Sequence, residues 1–110
     1  MKIIQNALQE GIKFDEIFAV NDIAAVGALQ ALQAAQISVP QVVAIIGYSD
    51  WQFSSFISPK LTTITQNVNE IGRKAAELLL EAIHSKDTFI EPESITLPTE
   101  IILRGTTLNK

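Results

Sequence analysis

Ile17-Phe18-Ala19-Val20-Asn21-Asp22 and Val43-Ala44-Ile45-Ile46-Gly47-Tyr48-Ser49-Asp50-Trp51 decide the fold. Each is an apolar, largely β-branched run that stops abruptly at polar groups. A strand buried on both faces reads as such a run, and strands of that kind belong to parallel sheets. In open α/β sheets, ligands sit in the crevice outside the carboxyl ends of the strands. Two strand ends joined by a helix therefore predict one half of a small-molecule pocket.

The flanking sequence fills in the elements. Ile3, Ile4, Ala7 and Leu8 have helical spacing, and Gly11 is a natural stop. A strand is predicted over 16–20, followed by an Ala-rich helix capped by Asn21 or Asp22 and running to about Ala35. The second strand follows over 42–46, where Gly47 lets the chain turn. Residues 53–57 read as one helical turn, and 61–65 alternate at period two as a strand. Asn67-Val68-Asn69-Glu70 resembles a capping box and opens the longest helix, to about His84. Its apolar stripe is Val68, Ile71, Ala75, Leu78, Leu79, Ala82 and Ile83. A polar loop over 85–93 and strands over 94–97 and 100–103 complete the chain. The order implies an α/β fold with a partly parallel sheet flanked by helices.

Composition narrows the function. Twelve acidic residues against eight basic ones give a net charge of −4, which supplies no basic face for phosphates. The absence of cysteine excludes disulfides, iron–sulfur clusters and thiolate zinc sites. No apolar run approaches the roughly 20 residues of a membrane span, and the start lacks a signal-peptide core. His84, the only histidine, lies near a helix C-terminus, so no nucleophile–base pair emerges. No phosphate-binding glycine loop is present either. The reading is of a non-enzyme without metal or cofactor.

The candidate ligand residues cluster at the strand ends. Asn21 offers an amide to a ligand hydroxyl, or an acceptor to the helix start. Ser49 and Asp50 supply short polar groups, and the flat face of Trp51 suits a sugar ring. Gln66 closes the third strand ahead of the long helix. Phe53, Phe56 and Ile57, with Ala25, Val26 and Leu29, form either core or an exposed pairing patch.

Taken in order, these segments resemble the effector-binding region of the LacI/GalR family of bacterial transcriptional regulators. The resemblance rests on Ile17-Phe18-Ala19-Val20-Asn21-Asp22, on Ala24, Gly27-Ala28-Leu29 and Ala31-Leu32, and on Val39-Pro40. It continues through Ile46-Gly47-Tyr48-Ser49-Asp50, Pro59, Leu61-Thr62-Thr63-Ile64, Gln66, Gly72, Ala75 and Leu79, and ends on residues 97–107. It implies the C-terminal portion of a two-lobed, type I periplasmic-binding-protein-like fold with an effector between the lobes. Residues 1–66 and 94–110 would belong mainly to the C-terminal lobe, with the 67–93 segment packing on an N-terminal lobe absent from this chain. Operator DNA would be met only through a headpiece also absent here.

The resemblance also assigns residues. Asn21 matches an effector-contacting position, and Gln66 lies at the lobe crossover. Ser49 falls where many members carry an Asp, a departure that leaves part of that role to Asp50 and Trp51. Val26, Gln30, Phe53, Phe56 and Ile57 would form a homodimer interface. The expectation is a cytoplasmic sensing and dimerisation module for a carbohydrate-like effector. The alternative is a periplasmic sugar-binding protein of a transport or chemosensing system. A free-standing α/β domain is a further rival, which the unmatched stripe of the long helix disfavours.

Overall fold

The structure, a computed structural model, describes residues 2–85 and 94–108. The element order is α1 (Lys2–Gln9), β1 (Glu16–Phe18), α2 (Asp22–Ala34) and β2 (Ala44–Ile46), then a 3-10 turn (Gln52–Ser55). It ends with β3 (Thr63–Gln66), α3 (Val68–His84) and β4 (Thr99–Ile102). The α/β class and the partly parallel sheet expected from the sequence are present. Two compact units divide the chain, one of residues 1–65 and 100–110 and the other of residues 66–99.

In the first unit, β1 and β2 pair in parallel, with Glu16 opposite Ala44 and Phe18 opposite Ile46. A single parallel bridge from Ile46 to Thr62 extends the arrangement toward β3, which pairs with β4. The strands are shorter than the apolar runs, because pairing stops where the chain leaves for a helix or loop. The core gathers Ala25, Ala28, Leu29, Ala31 and Leu32 of α2 with Val43, Ile45, Leu61 and Ile4. Alanines on the buried face of α2 let the helix lie close to β2 and α1. Gly11, at φ +72°, follows the end of α1 in the left-handed region that glycine occupies without steric cost.

A clip from the end of the chain closes this unit. The Thr106 amide and the Gly105 amide both donate to the Lys60 carbonyl, at 3.1 and 2.8 Å. The Ile45 amide donates to the Thr106 carbonyl at 2.9 Å. Thr106 Oγ1 donates to the Ile45 carbonyl at 2.7 Å and accepts from the Thr62 amide at 2.9 Å. Thr106 is fully buried, so its hydroxyl must be paired, and it is paired twice.

In the second unit, α3 is capped by Asn67, whose Oδ1 accepts from the Glu70 amide at 3.2 Å. Arg73 bridges Glu70 at 2.5 Å and Glu77 at 3.2 Å along the same helix. None of its residues is buried. Ser94–Leu97, expected as a strand, is irregular. An alternating pattern becomes a strand only with a partner, and this stretch has none among the described residues. Most of the expected 85–93 loop lies outside the described residues.

Candidate functional site

Asp22 organises the carboxyl ends of the first two strands. It is the first residue of α2, and its side chain is almost fully buried. One carboxylate oxygen accepts from Thr63 Oγ1 at 2.6 Å. The other accepts from the Trp51 amide at 2.7 Å and from the Ser54 hydroxyl. Its own amide donates to the Tyr48 carbonyl at 3.1 Å. Burying a carboxylate is costly unless donors replace water, and here neutral donors and the N-terminal end of a helix do so.

Gly47 belongs to the same arrangement. A Cβ built there would run into Asp22 Oδ1 and crowd Leu61. The sequence reading attributed Gly47 to a sharp turn; the reason found is space for the Asp22 carboxylate. This is the main site feature the sequence reading missed. The signal was present in an acidic residue beside an already adequate asparagine cap, a glycine following the next strand, and the Thr62-Thr63 pair.

The loop after β2 is held in an uncommon conformation. Ser49 and Asp50 have φ of 99° and 50°, although neither is glycine. Left-handed backbone costs non-glycine residues about 1–2 kcal/mol each, so neighbouring bonds must impose it. The Ser49 amide donates to the Ile64 carbonyl at 2.8 Å, and the Asp50 amide to Thr63 Oγ1 at 3.2 Å. Asp50 Oδ1 pairs with Arg104 at 2.9 Å, and the other arm of that guanidinium donates to the Leu61 carbonyl at 3.0 Å.

Four expected site residues thus come together. Asn21 follows β1; Ser49, Asp50 and Trp51 follow β2, the neighbouring parallel strand. Asn21 Oδ1 caps α2 by accepting from the Ala24 amide at 2.8 Å. Ser49 is exposed, and the Trp51 indole, 42 % exposed, meets Phe53 edge-on with ring centres 4.6 Å apart. Gln66 is the half-buried last residue of β3 and belongs to the second unit. Of the expected pairing residues, Phe56 is 81 % exposed and Phe53 and Gln30 are also exposed. Val26 is half-buried, and Ile57 packs against the core.

The periplasmic-binding-protein-like domain family matches residues 5–107. The chain belongs to that family. This periplasmic-binding-protein-like chain is 41 % identical over 93 residues to the transcriptional repressor PurR of Actinobacillus pleuropneumoniae. That match covers 84 % of the chain and 28 % of the repressor. A LacI-family regulator from Enterococcus faecium, solved with bound ribose, superimposes with a TM-score of 0.82 at 35 % identity, covering 96 % of this chain and 38 % of that one. The lac repressor dimer bound to operator and the anti-inducer ONPF superimposes with a TM-score of 0.88 at 29 % identity, covering 98 % and 37 %. The likeness to part of the effector-binding domain of LacI/GalR regulators, read from the sequence, therefore holds. The chain spans under a third of the length of the repressor it matches. No helix among the described residues is long and apolar enough to cross a membrane.

Proposed function

We propose that this chain is the effector-sensing and dimerisation part of a LacI-type DNA-binding regulator and not an enzyme. The observation that carries this reading is the half-exposed Trp51, held with Asn21 and Ser49 at the carboxyl ends of two adjacent parallel strands. An indole face stacks on the apolar face of a sugar ring, while amide and hydroxyl groups meet its hydroxyls. The ribose bound to the Enterococcus regulator supports a carbohydrate-like effector here. Asp50 borders this set from the loop after β2, and Gln66, the last residue of β3, is by sequence a further effector-contacting candidate. Helix α3 would pack its exposed stripe on an N-terminal lobe outside this chain; the rest of the 67–93 segment expected to do so lies mostly outside the described residues.

The effector would act by favouring one relative orientation of the lobes, since a ligand shifts an equilibrium only through differential affinity for its two states. Operator DNA would be bound by a headpiece outside this chain, in the cytoplasm. Pairing would run through Val26, Gln30, Phe53, Phe56 and Ile57, a reading supported by the exposure of Phe56 and by the dimeric lac repressor.

Calorimetric titration of the complete gene product with a panel of sugars, ribose first, tests the reading. One sugar is expected to bind, and Trp51→Ala to weaken it about tenfold, or about 1.4 kcal/mol. No binding across the panel, or unchanged affinity in the variant, overturns the sugar site. Sedimentation is expected to return twice the mass of one chain, and a monomer would remove the pairing patch.

A further inference from the structure

We infer that Arg104 is a positioning residue for the ligand-facing loop. Its guanidinium, clamped between Asp50 and the Leu61 carbonyl, holds the left-handed Ser49–Asp50 turn and so the aim of Ser49 and Trp51. The inference rests on the effector reading for its functional meaning, but its structural content stands on contacts within the first unit.

Arg104 touches the segment that leads into β3 at two points and the loop itself at a third. Its amide donates to Thr62 Oγ1 at 2.8 Å, and Nη1 donates to the Leu61 carbonyl at 3.0 Å. From that fixed base, Nη2 reaches Asp50 Oδ1 at 2.9 Å. Thr62 and Leu61 are fully buried, so the base does not move with the loop. The planar fork of arginine spans both acceptors at once, which the single ammonium of lysine does not. The pair is also sheltered, with 17 % and 28 % of the two side chains exposed. Solvent and salt therefore weaken it less than they weaken a surface pair.

The geometry of the loop makes that grip consequential. Two successive non-glycine residues at positive φ persist only where surroundings over-determine them. The main-chain bonds of Ser49 and Asp50 restrain the amides, but the direction of the Asp50 side chain is set by φ at Asp50 itself. Were Asp50 to relax to an extended conformation, its carboxylate would swing away from Arg104 and the pair would break. The ion pair thus selects the left-handed state. It has a second effect, because it occupies the charge of Asp50. Asn21, Ser49 and Trp51, the neighbouring groups at the strand ends, are all uncharged, which matches a neutral polyhydroxy ligand rather than an anionic one.

Trp51 is the only tryptophan of this chain and lies one residue from the pair, so it reports the loop directly. The experiment measures acrylamide quenching of Trp51 in the complete gene product without ligand. Subtracting the signal of Trp51→Phe isolates its emission. Arg104→Met is expected to raise the quenching constant by about twofold or more with unchanged far-UV dichroism. Asp50→Asn is expected to do the same, and Arg104→Lys to give an intermediate value. A lowered melting temperature with unchanged Trp51 quenching would show a merely structural ion pair and overturn the inference. If Arg104→Met does not fold, Asp50→Asn decides in the same two directions. Because no ligand is present, failure of the sugar titration leaves this result standing, and a null here leaves the sugar site standing.

Discussion

Helices α2 and α3 begin alike and end in opposite circumstances. Each is opened by an asparagine whose Oδ1 accepts an amide three residues on, Ala24 for Asn21 and Glu70 for Asn67. Yet α2 buries Ala25, Ala28, Leu29, Ala31 and Leu32, whereas α3 buries nothing and leaves Val68, Leu79 and Ile83 more than 60 % exposed. Capping and spacing create a helix, but they do not say whether its apolar face meets a partner within the same chain. In α2 the partner is β2 and the rest of the first-unit core. In α3, local terms carry the helix: the cap, the Glu70–Arg73–Glu77 pairs and its length.

The most direct way to break the comparison is at Asp22. Asp22→Ala would leave the Trp51 amide and the Ser54 and Thr63 hydroxyls without their acceptor in a buried site. Urea unfolding is expected to show a loss of about 3 kcal/mol or more; a loss under about 1 kcal/mol would mean water replaces the carboxylate readily. Asn67→Ala tests the opposite helix. Removing its cap is expected to cost about 1 kcal/mol and to lower helical dichroism, whereas no change would show that α3 is held by something other than its own ends.

Leu79→Asp sharpens the contrast further. In the 110-residue chain it is expected to shift stability by no more than about 0.5 kcal/mol. A loss of several times that in the same chain would prove the face already covered. The smallest effect concerns Glu70. Its hydrogen bond to Arg73 holds its carboxyl below the ordinary 4.5, against a weaker opposing effect of desolvation. A depressed folded-state value means that its contribution is fully present above the unfolded value and is lost as pH falls through the folded one. Helicity of α3 should therefore decline only slightly below pH 4.5 and less in high salt. A steep, salt-independent transition there would point to another carboxylate.

What the sequence disclosed and what it hid divide along the same line. Caps, periodicities and the abrupt polar ends of β1 and β2 act over a few residues, and Asn21, Asn67 and the strand ends were legible from them. Asp22 was read merely as an alternative cap, because its acceptors serve residues 29 to 41 positions away. No local pattern announces such a pairing. Arg104 was hidden for the same reason: it reads as the polar end of an apolar strand until its fork is seen to reach Asp50. Ser94–Leu97 erred in the other direction, since its alternation is a local pattern with no strand among the described residues to complete it.

Thr106 carries a consequence for how the molecule is made. Its hydroxyl and carbonyl join Thr62 and Ile45, 44 and 61 positions earlier, so the core of the first unit is stitched by nearly the last residues described. Contacts so distant along the chain are slow to form, because closing a long loop costs entropy before any contact rewards it. During synthesis, everything up to β3 leaves the ribosome with this seam still open. A message cut short before the codon for Thr106 would yield a product with this seam unmade, a substrate for proteases rather than a shorter version of the same domain.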